Sequence, residues 1–169
     1  MSRPPIMTGR LLPSVFLVAV LAPAPAAPAG SGCTAPRSYC TAAPNSVHPT
    51  GSFLSHQGST SVGWDDFALV AVHLPADEVA VFFCGPTRLE VPFGDGFRCV
   101  GAPAWRLGPE DTGPSGVVVR ELDVAAGPGP GAAFSPGSTW HFQLWYADPR
   151  GRGGSGFNLS DGLEVRWCP

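Results

Sequence analysis

One short run carries the clearest chemistry in this chain. In Trp140-His-Phe-Gln-Leu-Trp-Tyr146, strand alternation puts His141, Gln143 and Trp145 on one side, and Trp140, Phe142, Leu144 and Tyr146 on the other. An exposed indole is a flat π surface on which the apolar C–H face of a sugar ring can stack, while nearby imidazole and amide groups bond its hydroxyls. Trp145, His141 and Gln143 are therefore the candidate ligand-binding residues. Trp140 and Trp167 share faces with other large apolar side chains and read as core.

Oxygen-bearing residues form the second candidate group. Asp148, Asn158, Ser160 and Asp161 surround one Gly-rich stretch, and Asp65-Asp66 and Asp95 lie in others. Ca²⁺ takes about six to eight oxygens, commonly from such loops, so Asp148, Asn158 and Asp161 are the calcium candidates. No EF-hand or repeat spacing accompanies them. Asp and Asn also serve turns by bonding nearby backbone amides, and that role accounts for them without a metal. The expectation is a chain with neither metal nor cofactor.

Catalytic patterns are sparse. His48, His56, His73 and His141 stand apart in the sequence, and no G-x-S-x-G signature supports a serine nucleophile. The acids are scattered, as on a solvated surface, with nothing to suggest the paired carboxylates of glycoside hydrolysis. A non-enzyme is expected.

Five cysteines occur, at Cys33, Cys40, Cys84, Cys99 and Cys168. No C-x-x-C pair is present, which argues against structural zinc. In an oxidising compartment the cysteines imply disulfides with one thiol left over. Four cysteines allow three pairings, and sequence does not choose among them. The expected set is Cys40–Cys168, tying the first ordered residues to the last strand, and Cys84–Cys99. Cys33, in a flexible leader, is then the odd thiol, able to crosslink two copies.

The oxidising compartment is itself a reading of the first thirty residues. Arg3 and Arg10 precede an apolar run, Leu11 to Ala22, followed by small residues ending in Ala27-Pro-Ala29. That is the n-region, h-region and A-x-A pattern of a secretory signal peptide over residues 1–29. The run falls short of the roughly 20 apolar residues that span a bilayer. Gly30 stands where a lipoprotein signal before Cys33 would carry a bulky aliphatic residue. Without residues 1–29, 140 residues remain, with eight arginines, thirteen acids and a net charge of −5. Lysine is absent and no basic stripe forms, so nucleic acid is not an expected partner. All-arginine usage with abundant Ala, Gly and Pro points to a GC-rich bacterial genome.

Glycine and proline, 22 and 20 of 169 residues, cluster between apolar runs and so punctuate turns. Strands are expected over 52–57, 67–73, 79–84, 89–93, 97–100, 117–124, 140–146 and 163–168. Gly94-Asp95-Gly96 forms a hairpin turn, and residues 125–138 form a loop. About eight short strands with such spacing describe an antiparallel β-sandwich over residues 39–169, after a leader at 30–38.

Several phrases recur as a set: Val91-Pro-Phe-Gly-Asp-Gly-Phe-Arg-Cys-Val-Gly101, Phe142-Gln-Leu-Trp-Tyr-Ala-Asp-Pro149 and Gly154-Ser-Gly-Phe-Asn-Leu-Ser-Asp-Gly162. Tyr39-Cys40 followed by Pro44-Asn45-Ser46 belongs with them. Residues 39–169 thereby resemble a secreted β-sandwich domain found in planctomycete and myxobacteria-like extracellular proteins. The resemblance implies an accessory module with no established activity. Some relatives carry a cysteine just before the Gly-Ser-Gly-Phe-Asn phrase, positioned to pair with the equivalent of Cys99. This chain has Arg152-Gly153 there and gains Cys84, which favours Cys84–Cys99.

The functional expectation is an exported, non-catalytic binding module of the cell surface, periplasm or extracellular space that engages polysaccharide or another envelope component. The alternative is a structural or adhesive protein–protein module, and a small secreted hydrolase comes third.

Overall fold

The computed structural model describes residues 33–169, so the signal-peptide expectation for residues 1–29 lies outside the described residues. The eleven described strands run β1 (Arg37–Tyr39), β2 (Phe53–Gln57), β3 (Ala68–Val72), β4 (Val79–Gly85), β5 (Arg88–Phe93), β6 (Gly96–Val100), β7 (Trp105–Asp111), β8 (Val118–Glu121), β9 (Thr139–Ala147), β10 (Phe157–Leu159) and β11 (Gly162–Arg166). They form three antiparallel sheets. One has six strands in the order β1-β11-β9-β4-β7, with β10 also paired to β9; the others are β2-β3-β8 and the hairpin β5-β6. Among the described residues no helix is long and apolar enough to cross a membrane.

The eight expected strands are all present within a residue or two or as a shorter core. Three more join them. β7 was hidden by Gly108-Pro109, a pair that reads as a break. It survives as an edge strand because its free side needs no N–H from Pro109, and a bulge takes up the irregularity. Val81 pairs Pro109 and Phe83 pairs Arg106, so two residues of β7 oppose one of β4. Gly108 sits in the bulge with φ +100°, which a side chain would resist. β1 and β10 are three residues each, too short to show a period.

The inner face of the six-stranded sheet and one face of the three-stranded sheet share a core. Ala80, Phe82, Phe142, Leu144 and Val165 come from the first, and Leu54, Leu69, Ala71 and Val118 from the second. Residues 125–138 form the expected loop, yet Phe134 within it turns inward, 5.1 Å from the Trp140 ring and 5.0 Å from Trp167. Trp140 and Trp167 are buried, as their faces indicated.

The disulfides differ from the expected set. The bonds are Cys33–Cys168 and Cys40–Cys99, and Cys84 is free and buried. Cys84 continues the inward alternation of Ala80 and Phe82 into the core. Cys99 lies in the hairpin that packs on the sheet's opposite face, so a Cys84–Cys99 bond would have to pass through the sheet. Cys40–Cys168 fails for a reason of register. β1 pairs β11 with Arg37 opposite Glu164; continued four residues outward, that ladder sets Cys33, not Cys40, across from Cys168. Cys33 is therefore bonded within its own chain and offers no thiol for crosslinking two copies. The supposed leader joins the fold from Cys33 onward, since Arg37 and Ser38 are paired strand residues. By loop-closure entropy the two bonds contribute about 5 and about 4 kcal/mol, for separations of 135 and 59 residues.

Candidate functional site

β9 alternates as its sequence indicates. Trp140, Phe142, Leu144 and Tyr146 enter the core, and His141, Gln143 and Trp145 point to the outer face. What covers that outer face decides which of the three a ligand can reach.

The β5–β6 hairpin lies over its middle. Gln143 is fully buried beneath it, with Oε1 accepting from Cys99 N at 2.8 Å. Its Nε2 donates to Phe97 O and Ser160 O, both at 2.8 Å. The amide is engaged with Cys99, Phe97 and Ser160, and Gln143 is closed off from solvent. His141 is 5% exposed. The Tyr39 ring meets it edge-on at 5.3 Å, and its Nε2 lies 3.3 Å from Glu164 Oε2. It too is removed from solvent.

Trp145 alone of the three stays half-exposed, flanked rather than covered by Phe93 and Arg98 of the hairpin. Its indole packs against Phe157 at 5.7 Å between ring centroids, and Phe157 in turn packs against Phe93 at 5.3 Å. The hairpin turn permits this approach. Gly94 has φ +60°, and a Cβ there would collide with the Phe157 ring. Asp95 beside it anchors the turn: Ser155 N donates to its Oδ1 at 2.9 Å, and hydrogen bonds from Ser155 hold its carboxyl below the usual range.

The result is an open groove of about 430 Å³, with Trp145, Val81 and Phe83 on the sheet, Phe93 and Arg98 from the hairpin, and Arg106 from β7. Its volume falls within the roughly 300–1,000 Å³ typical of small-molecule sites. Strand register sets the rows of its floor. Arg106 lies opposite Phe83, and Val81 opposite Trp145, which is followed by Leu159. Phe83, Phe93, Arg98 and Arg106 were missed from sequence because their meeting depends on where the hairpin lands.

The calcium candidates are buried but serve separate partners. Asp148 Oδ2 accepts from Ser46 N at 3.0 Å, and Asn158 Nδ2 donates to Pro44 O at 3.0 Å. Asp161 Oδ1 accepts from Leu54 N at 2.7 Å, and Ser38 Oγ donates to Oδ2. Each fastens part of residues 38–54 to the body of the fold. Burial pushes the Asp161 carboxyl up, against the opposing bonds from Ser38 and Leu54. Asn45 completes this seam, donating to His73 O at 2.7 Å and to the Tyr146 hydroxyl at 3.0 Å. Among the described residues no group of three or more His, Cys, Asp or Glu side chains is placed to hold a metal ion.

His48 and His73 stack at 3.8 Å, beside Phe53 rather than in the groove. The Cys84 thiol is pushed up to about 12 by burial, the opposite of an activated nucleophile. The geometry thus offers one aromatic groove edged by two guanidinium groups. No protein-family model matches this chain, and no curated protein or solved structure is significantly similar to it.

Proposed function

We propose that this all-β domain is an exported, non-catalytic binding module whose ligand is a saccharide stacked on Trp145. The observation that carries the reading is the indole itself. It is half-exposed on the floor of an open groove, backed by Phe157 and accompanied by Phe83 and Phe93. Large aromatic side chains turned to solvent in a concave site are what sugar C–H faces stack upon. The resemblance of residues 39–169 to secreted accessory modules points the same way.

The experiment is a binding panel of soluble and insoluble polysaccharides with the wild-type protein and Trp145→Ala. A central aromatic anchor contributes about 2 kcal/mol, so Trp145→Ala is expected to weaken binding about 30-fold. Retained affinity in the variant would remove Trp145 from the site. A protein–protein module is the second reading, favoured by Trp64, which is 74% exposed and does not line the groove. Binding to no polysaccharide by the folded protein would turn the search to that residue.

A further inference from the structure

The groove's apolar floor explains stacking but leaves its two arginines unused. We propose that the saccharide bound at Trp145 is anionic, carrying carboxylate or sulfate groups that Arg98 and Arg106 hold; this rests on the stacking reading above. The argument is one of charge. Every residue lining the groove is apolar except these two, and none is acidic. The ion pairs among the described residues are Arg88–Glu164, Arg120–Glu110 and His141–Glu164, so neither groove arginine has an internal counter-ion. Arg37, Arg150, Arg152 and Arg166 are also unpaired, but they do not line this groove.

Arg98 is distinctive in being half-buried and oriented. Its Nε donates to Val100 O at 2.9 Å, which fixes the guanidinium plane at the hairpin. A partly desolvated cation beside an apolar wall gains more from an arriving anion than one in open water does. Its planar donor fork also suits carboxylate and sulfate oxygens. Arg106, opposite Phe83 on β7, brings a second charge to the same outer face. The described residues carry eight arginines against thirteen acids, so the rest of the surface disfavours a polyanion. Attraction is therefore concentrated where the indole waits.

The test compares polymers that share a backbone and differ in charge: dextran beside its sulfate and carboxymethyl derivatives, and polygalacturonate beside its methyl ester. Binding is titrated at low and high salt for wild type, Arg106→Gln and Trp145→Ala. Arg106 carries the test because it is exposed and makes no internal bond, and unchanged thermal unfolding verifies the fold. The charged member of a pair is expected to bind at least about tenfold more tightly, as one charge-assisted bond supplies. Arg106→Gln should reduce that advantage severalfold, with Arg98 retaining the remainder, salt should weaken it, and Trp145→Ala should weaken binding to both members about 30-fold. The sulfate and carboxymethyl arms identify which anion is preferred. Equal affinity for neutral and charged polymers, still weakened in Trp145→Ala, overturns the anionic assignment and leaves stacking intact. Polyanion binding that survives both substitutions is adventitious polyelectrolyte attraction and overturns the proposal. Binding to none of the polymers overturns both readings.

Discussion

The two ends of β9's outer face differ more than its two faces do. At His141 and Gln143 the outer face is as closed as the core, with exposures of 5% and 0% against 0% for Phe142 and Leu144. Two and four residues further on, Trp145 opens into a groove. Polarity there marks two different fates. Gln143 is polar because three backbone groups of the elements above it need partners, whereas Trp145 is apolar and meets solvent. A polar residue on the alternate face of a strand is thus evidence of a second layer as readily as of water.

Three substitutions along β9 rank this contrast by stability. Phe142→Ala empties the core and should cost about 4 kcal/mol. Gln143→Leu leaves Cys99 N, Phe97 O and Ser160 O without their buried partner and should cost about 3 kcal/mol, close to the core value. Trp145→Ala, at the open end, should cost about 1 kcal/mol or less. Urea denaturation of the three variants measures all of these. A cost for Gln143→Leu as small as that for Trp145→Ala would mean the hairpin is not seated on the strand.

Thiol labelling sharpens the distinction between the faces. Cys84, on the inward side of β4, should remain unlabelled in the folded protein and react as one thiol per chain after unfolding without reductant. A reactive thiol in the folded state would place the free cysteine outside the core and contradict at least one of the two bonds.

The smallest effect separates two carboxyls by pH. Asp161 is raised by burial, so its folded form binds a proton more readily than the unfolded chain, whose value is near the ordinary 3.8. Stability from this group is therefore full at low pH and declines as pH rises through the interval above 3.8. Asn in its place can still accept from Leu54 N, so Asp161→Asn should flatten that decline. Asp95 has the opposite sign: hydrogen bonds from Ser155 lower it, and its contribution is lost as pH falls through its depressed value. Asp95→Asn should remove an acid-side loss instead. Urea midpoints across pH distinguish the two, and parallel slopes for both variants would refute the assignment.

Much of the scaffold was legible because β9, β4 and β11 carry unbroken alternation, which is local information. β7 was not, since a bulge with Gly108-Pro109 interrupts the pattern while the partner strand keeps it paired. The disulfides were hidden for a different reason. Pairing depends on register and on which side of a sheet each cysteine sits, and neither is written near the cysteine. The outward side of Trp145 was legible from its period alone. Its true neighbours, Phe93, Arg98 and Arg106, belong to strands whose approach to β9 is tertiary, and its apparent neighbours His141 and Gln143 lost solvent to that same approach.

The bond between Cys33 and Cys168 makes a closed ring of nearly the whole described chain. A single peptide-bond cut anywhere inside it, including in the glycine- and proline-rich loop at 125–138, linearises the ring without dividing the molecule. A protease must therefore cut twice to release a fragment that Cys40–Cys99 does not also retain, and a nicked copy keeps its mass, plus one water, until the bridges are reduced.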